Sequence, residues 1–267
     1  MAERCRRLLV GVLLAALRPA AAQARCKLHN VRQSDGSFRI VGCDELLLHG
    51  ERIGDDGAKQ LAKALATDTR LRLLDAWSNG IGPAGAAALA EALASNTKLD
   101  KLYLNENEVG AEGAASLIKA LASPKSALTS LWLSRNKLGD AGAQALAAGL
   151  LKTRRLQALD LWDNGISPVG ATAIATALRS NYNLLTLELR GNSVGDEGAR
   201  AFAALMPNSR ALSTLDLSSN GISPAGTKTL LEGLKASTAN PYLLLFVEHV
   251  PHMQATSWEQ KGKENAP

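Results

Sequence analysis

The sequence repeats itself with a period of 28 residues over most of its length, and this period limits the fold more than any other feature. Six asparagines mark the repeat at intervals of 28 or 29 residues: Asn79, Asn107, Asn136, Asn164, Asn192 and Asn220. An earlier copy has Glu51 in the asparagine position, which makes seven repeats. Units of this length bury their apolar faces only by stacking on one another, so we expect an elongated solenoid.

Each unit follows the pattern L-x-x-L-x-L-x-x-N-x-(I/L/V)-(G/S)-x-x-G-(A/T)-x-x-(L/I/F). Alternating leucines such as Leu102 and Leu104 indicate a short strand whose leucine side chains point to the interior. Apolar pairs four residues apart, such as Leu89 and Leu93, indicate a helix that buries one side. The predicted fold is therefore α/β, a right-handed solenoid with a parallel sheet on the concave face and helices on the convex face.

Polar and small residues at fixed positions connect the predicted strand to the predicted helix. We expect the asparagine side chains to stack into a ladder that satisfies backbone groups of the turn. In some repeats Ser-Pro follows, as at Ser167 and Pro168, which is typical of a helix N-cap and first turn. A glycine six residues after each asparagine, such as Gly85, predicts a place where the helix packs close to the sheet.

The period and the pattern identify the chain as similar to leucine-rich-repeat proteins, and a 28-residue unit with a helix resembles the ribonuclease-inhibitor type. The repeats are also similar to those of Ran GTPase-activating proteins and of nucleotide-binding leucine-rich-repeat receptors. The resemblance implies a horseshoe that binds a protein, and in ribonuclease inhibitors that protein is basic. Those inhibitors are cytosolic and rich in cysteine, whereas this chain has three cysteines, and a shared fold does not transfer a partner.

The repeats occupy residues 44–240, and shorter segments flank them. Residues 1–24 combine four arginines, a ten-residue apolar run and an A-x-A ending, which are typical of a secretory signal peptide. We therefore expect a secreted or extracellular protein; an organelle lumen is the alternative, and an uncleaved leader would leave the protein in the cytoplasm. We expect residues 25–43 to form an N-terminal cap, residues 241–251 a capping strand, and residues 252–267 a disordered tail.

Two cysteines remain once the predicted leader is removed, Cys26 and Cys43. An even number of cysteines in an exported chain favours a disulfide between them. The alternative is that Cys43 is a buried thiol, because it occupies a position that holds leucine in the later repeats.

The solvent face of the predicted sheet carries the candidate binding residues. Three of the four tryptophans and one tyrosine come from four consecutive strands, which would give an aromatic strip about 15 Å across. Exposed tryptophan and tyrosine are typical of binding hot spots, although stacking between strands is the alternative. The predicted binding residues are Trp77, Tyr103, Trp132, Trp162, Asp75, Asp160, Asp163, Glu188, Arg190 and Asp216.

The charge of this face is opposite to that of the chain. The formal net charge is +5, and three of these charges belong to the predicted leader. The face has two bases, Arg135 and Arg190, and six acids: Asp75, Glu106, Asp160, Asp163, Glu188 and Asp216. An acidic face favours a basic protein or peptide and repels nucleic acid. The basic run at residues 152–155 falls between helix and strand, and we interpret it as a solvated edge.

No pattern in the sequence indicates catalysis. The stretch GIGPAG (Gly80, Gly82, Gly85) matches the G-x-G-x-x-G of dinucleotide-binding turns, but such a site needs a sheet whose strand order reverses. The pair His249 and His252 lacks a third metal ligand nearby. We therefore predict a non-enzymatic protein-binding module without cofactor, metal or stable membrane insertion. The alternatives are a GTPase-activating protein of the Ran type and a structural or adhesive extracellular repeat protein.

Overall fold

The computed structural model describes residues 24–237, 240 and 242–247, where short strands and helices alternate. The predicted signal peptide, apart from Ala24, and the predicted tail lie outside the described residues, as do His249 and His252. The strands are β1 (Arg25–Lys27), β2 (Glu45–Leu47), β3 (Leu73–Asp75), β4 (Lys101–Tyr103), β5 (Ser130–Trp132), β6 (Ala158–Asp160), β7 (Thr186–Glu188), β8 (Thr214–Asp216) and β9 (Leu244–Phe246). The helices are α1 (Leu28–Val31), α2 (Gly54–Thr67), α3 (Pro83–Leu93), α4 (Gly110–Leu121), α5 (Gly139–Leu150), α6 (Pro168–Leu178), α7 (Gly195–Leu205) and α8 (Pro224–Lys235), with a 3-10 turn at Met206–Asn208.

The nine strands of the described residues form one parallel sheet in the order of the chain, from β1 to β9. The central leucines of neighbouring strands pair in register, as Leu102 does with Leu74 and Leu131, and these three are fully buried. The predicted α/β solenoid is therefore confirmed. Because the strand order never reverses, the described sheet has no crevice for a dinucleotide at GIGPAG.

The asparagine ladder forms as predicted. Asn107 Oδ1 accepts hydrogen bonds from the backbone N–H groups of Asn79 and Ile81, both at 2.9 Å. Its Nδ2 donates to the carbonyls of Ala76 at 2.9 Å and Leu104 at 2.8 Å. The side chain is buried, so each asparagine satisfies backbone groups of its own turn and of the preceding repeat.

A second ladder lies at the opposite end of the units and was not predicted from the sequence. Asn181 Nδ2 donates to the Leu150 carbonyl at 2.6 Å, and its Oδ1 accepts from the N–H groups of Asn183 and Leu184 at 2.9 Å. The position is buried and polar in six repeats: Asn96, Ser126, Thr153, Asn181, Ser209 and Ser237. At Asn96, Asn181 and Ser237 the side chain donates to a carbonyl of the preceding repeat and so holds neighbouring loops together.

The glycine six residues after each asparagine is needed for a different contact from the one predicted. A Cβ on Gly85 would lie 2.6 Å from Asp55 Oδ1 and 2.9 Å from the Ala58 Cβ. The close neighbours are therefore the helix of the preceding repeat and the apolar residue four positions before the glycine, Ile81 Cγ2 at 2.9 Å, rather than the sheet. This close approach explains why a residue with no side chain is required there.

The N-terminal cap is tied to the first repeat. A disulfide joins Cys26 to Cys43, with a Cα–Cα distance of 5.8 Å. Cys26 lies in β1, which pairs in parallel with β2 and so adds a strand that the sequence did not predict. An antiparallel bridge between Arg32 and Phe38 closes the turn that follows. At the other end, β9 pairs with β8, as predicted for a final strand.

Candidate binding surface

The open face of the sheet is built from two rows of side chains, which we call the inner and the outer row. The inner row is the third residue of each strand: Asp75, Tyr103, Trp132, Asp160, Glu188 and Asp216. The outer row lies two residues later in each repeat: Trp77, Asn105, Ser134, Trp162, Arg190 and Ser218. Together the two rows bring the predicted binding residues, apart from Asp163, onto one face, which we call the concave surface.

The inner row changes from aromatic to acidic along the sheet. Tyr103 and Trp132 are half-buried and stack with their ring centres 4.2 Å apart and their planes at 23°. The next three strands place Asp160, Glu188 and Asp216 side by side in register. Like charges directly opposite one another repel, so this row concentrates negative charge on one part of the open face.

Three of the inner-row carboxylates also support the backbone. Asp75, Asp160 and Asp216 each accept a hydrogen bond from the N–H group two residues later, at 3.1, 2.9 and 2.9 Å. In two of these turns the residue that donates is a tryptophan, Trp77 or Trp162. Each of these two aspartates therefore holds the start of the turn that presents an outer-row ring.

In the outer row, two small polar side chains lie between two tryptophans. Trp77 packs edge-to-face on His49, with ring centres 4.7 Å apart. Asn105 and Ser134 follow on the next two strands and are buried, and Trp162 follows them. The predicted aromatic strip is therefore an arc: two rings stack in the inner row, while Trp77 and Trp162 stand about 15 Å apart in the outer row.

Arg135 is the residue that fixes the ring of Trp162. Its guanidinium carbon lies 4.5 Å from the centre of the Trp162 ring. Its Nη1 lies 2.8 Å from Glu106 Oε1, and its Nε lies 3.2 Å from Asp163 Oδ2. One base thus pairs with two of the predicted acids, so the acidic character of the surface comes mainly from the inner row.

The charge predicted for this face needs a correction. The first residue of each strand also faces the open side, which places Lys101 two residues before Tyr103 on the same strand. Over strands β3 to β8 the surface therefore has three bases against the six predicted acids. The excess of acid is smaller than predicted, but its sign is unchanged.

The carboxyl group of Asp160 is the most perturbed acid of the surface. Burial raises the pKa of Asp160 to about 6, against the opposing effect of the hydrogen bonds from Trp162 and Ser134. The charge of Asp216 adds to this increase in pKa. A cation brought close to Asp160 would favour the ionised form and lower this pKa.

Two buried polar atoms of the concave surface have no hydrogen-bond partner within the described residues: the indole Nε1 of Trp77 and the amide Oδ1 of Asn105. One is a donor and the other an acceptor, and they belong to neighbouring repeats. Leaving such an atom unpaired costs about 1 to 3 kcal/mol. Asn105 was not among the predicted binding residues, since in the sequence it looks like any other polar residue.

The surface offers no sign of a metal site or a membrane span. Among the described residues, no group of three or more His, Cys, Asp or Glu side chains could hold a metal ion. No helix of this part of the chain is both long and apolar enough to cross a bilayer.

Comparison with known proteins places the repeats in a class. Five segments match the leucine-rich repeat: residues 95–117, 126–147, 154–175, 180–203 and 208–231. These segments are similar to leucine-rich repeats, and the parallel sheet with its alternating helices is consistent with an α/β solenoid of that kind. The match describes the repeat in general, so the ribonuclease-inhibitor type stays a prediction.

Comparison with curated proteins gives no match. Among solved structures, the chain is similar to actin-binding site 2 of leiomodin-1, at 19% identity and a TM-score of 0.36, over 55% of this chain and 70% of that one. It is also similar to the C-terminal domain of Caenorhabditis elegans tropomodulin, at 13% identity and a TM-score of 0.44, over 67% and 92% of the two chains.

Proposed function

We propose that the protein is a non-enzymatic binding protein that holds a basic protein or peptide against its concave surface. The observation that carries the proposal is the row of three in-register carboxylates beside the stacked pair of Tyr103 and Trp132. The aromatic rings would supply the contact area, and the carboxylates would select for positive charge.

The cost of the carboxylate row supports this proposal. Asp160 is held with a raised pKa, and its neighbours in register are Glu188 and Trp132. A lysine or arginine from a partner would relieve the repulsion and would lower the cost of burying the charge. Binding would then offset part of the cost of burying the charge of Asp160.

The outer row supports a peptide-like partner. Trp77 and Trp162 flank a floor of two small residues, Asn105 and Ser134, and Arg135 holds the Trp162 ring in place. The unpaired Trp77 Nε1 and Asn105 Oδ1 are a donor and an acceptor. A main-chain amide carries both complementary groups, and a small shift of the rings would bring it within reach.

A binding titration with a defined probe tests the proposal. The probe is a fluorescein-labelled peptide in which lysine alternates with serine around a central tryptophan. We expect Glu188→Lys to weaken its binding at least about tenfold, because it places a base in the carboxylate row. The matched control is Glu91→Lys on the convex face of α3, where Glu91 is exposed; it should change the affinity less than twofold.

Two outcomes would reject the proposal. One is the absence of saturable binding of the lysine peptide to the wild-type protein. The other is an equal loss of affinity in Glu188→Lys and Glu91→Lys, which would indicate a general charge effect. Thermal unfolding of both variants shows whether the fold is intact.

We also propose that the protein acts outside the cell. The predicted signal peptide and the disulfide between Cys26 and Cys43 support this location, because disulfides persist in oxidising compartments. N-terminal sequencing of the protein from its native host should give Arg25 as the first residue. A start at Met1 would contradict secretion and would favour the GTPase-activating alternative.

A further inference from the structure

The loops that lead from each helix into the next strand form one edge of the solenoid, and over four repeats this edge carries bases and no acids. The loops comprise residues 122–129, 150–157, 178–185 and 206–213, and none of them contains Asp or Glu. Six exposed cations lie on them: Lys125, Lys152, Arg154, Arg155, Arg179 and Arg210. We call this surface the basic edge.

The cations of the basic edge form no ion pairs within the described part of the chain. The ion pairs between described residues involve other bases, such as Arg135 and Arg70, and none of the six takes part in one. A base at a helix C-terminus interacts favourably with the helix dipole, which accounts for Arg179 at the end of α6. Arg154 and Arg210 lie further along the loops, beyond the last turn of their helices, and the dipole does not explain them.

The same edge exposes apolar side chains. Leu151, Tyr182 and Leu185 are 55%, 65% and 39% exposed, and they are three of the seven large apolar residues that the described part of the chain exposes. A solvated loop has no need for such side chains. Unpaired arginines beside an exposed tyrosine and leucines have the composition of a protein interface, where aromatic residues and arginine are enriched.

The repeat places three of these residues in one line. Arg154, Tyr182 and Arg210 each follow a residue of the second buried ladder directly: Thr153, Asn181 and Ser209. The loops are held together by hydrogen bonds such as that from Asn183 Nδ2 to the Thr153 carbonyl, at 3.2 Å. The order along the edge is therefore base, tyrosine, base, at the same height on three consecutive repeats.

We propose that the basic edge binds an extended acidic segment of a partner protein that runs across the repeats. Neighbouring repeats are about 4.8 Å apart at the strands and about 8 to 10 Å apart at the helices. In an extended chain, side chains on the same side are about 6.6 Å apart, which falls between these spacings. Acidic side chains would meet Arg154 and Arg210, and an apolar side chain between them would meet Tyr182.

The chemistry of the edge favours a carboxylate-bearing protein over other anions. Four of the six cations are arginines, whose planar guanidinium groups form paired hydrogen bonds with carboxylates. Leu151 and Leu185 give a peptide apolar contacts that a phosphate backbone lacks. The concave surface is acidic and would repel the same segment, so the two surfaces would hold partners of opposite charge.

The test is a fluorescence-anisotropy titration of the full chain with a labelled acidic peptide. The peptide alternates glutamate with serine around a central phenylalanine, and about ten residues would span the edge. We expect Arg154→Glu combined with Arg210→Glu to weaken binding at least about tenfold, and Tyr182→Ser about threefold. The matched control is Lys63→Glu combined with Arg200→Glu, which makes the same change of charge at exposed sites of α2 and α7.

Three results would overturn the proposal: no saturable binding of the peptide, an equal loss of affinity in the control, or tighter binding to phosphatidylserine vesicles or to a single-stranded RNA of the same length. Thermal unfolding checks that the variants fold. If the charge reversal does not fold, Arg154→Gln with Arg210→Gln replaces it and should still weaken binding about threefold. Because the probe is acidic, its failure leaves the proposed function of the concave surface unaffected.

Discussion

The carboxylate of Asp140 caps the helix of the following repeat through Ser167. Asp140 Oδ1 accepts from the Ser167 N–H at 2.9 Å, and its Oδ2 accepts from the Ser167 hydroxyl at 2.6 Å. Ser167 in turn accepts from the Val169 N–H at the start of α6. Asp196 and Ser223 repeat this arrangement two repeats later, so an acid at the start of one helix orders the start of the next.

We expect Asp140→Ala to lower the free energy of unfolding by about 1 to 2 kcal/mol, because it removes a cap from α6. Burial raises the pKa of Asp140, but the hydrogen bonds from Ser167 and Gly170 outweigh burial and hold the pKa below its usual value. The contribution is therefore present at neutral pH and is lost as the pH falls below about 4 through the lowered pKa. Urea unfolding of the variant at pH 7 and pH 3 measures both effects, with the exposed Glu112→Ala as the control.

Asp160 should show the opposite dependence on pH. Its pKa is raised to about 6, so the folded state favours the protonated form, and the ionised form costs stability above pH 6. We expect Asp160→Asn to raise the free energy of unfolding at pH 7.5 by about 1 to 3 kcal/mol, with the gain fading toward pH 4. Chemical unfolding at a series of pH values tests this; a gain that is independent of pH would contradict the assignment.

The affinity of the concave surface for a basic peptide should decrease when the pH is lowered. Protonation of Asp160 removes one negative charge from the carboxylate row as the pH falls through about 6. We expect the dissociation constant of the lysine peptide to rise about threefold to tenfold between pH 7.5 and pH 5. In Asp160→Asn this dependence should be weaker. A pH profile that is the same in both proteins would show that another group titrates.

Removing one member of the asparagine ladder should be more damaging than any surface change. Asn136 Nδ2 donates to the carbonyls of Leu104 at 2.8 Å and Ser134 at 3.0 Å, and its Oδ1 accepts from the Val109 N–H at 3.1 Å. We expect Asn136→Ala to cost about 3 to 5 kcal/mol, because buried backbone groups of two repeats lose their partners. Thermal unfolding should show a far smaller effect for Glu51→Ala, which changes the exposed residue at the same position of the first repeat.

The period predicts the fold well because each repeat uses the same few contacts. Leucine and asparagine recur at fixed intervals in these buried positions, so a sequence pattern is enough to place them. The second ladder uses asparagine, threonine and serine at one position, as at Asn96, Thr153 and Ser237. Because any of these side chains can make the required hydrogen bond, no single residue type identifies that position in the sequence.

The binding residues are placed by the pattern, but their contacts are not. Alternation along the strand is enough to put Trp162 and Asp160 on the open face. The approach of Arg135 to Trp162 depends on the left-handed backbone of Arg135, with φ of 54°, and on two acids supplied by neighbouring repeats. Contacts of this kind depend on how repeats stack, which a linear pattern does not contain.

The order of the strands determines how the molecule would come apart under load. Each repeat contacts only the one before and the one after, so repeats can separate one at a time rather than all together. At its first link the bond between Cys26 and Cys43 ties β1 to the segment that enters β2, whereas β9 is held to β8 by non-covalent contacts. Among the described strands, opening at β9 is therefore favoured over opening at β1, and the repeats that carry the aromatic arc, β3 to β6, would separate after β8 and β7.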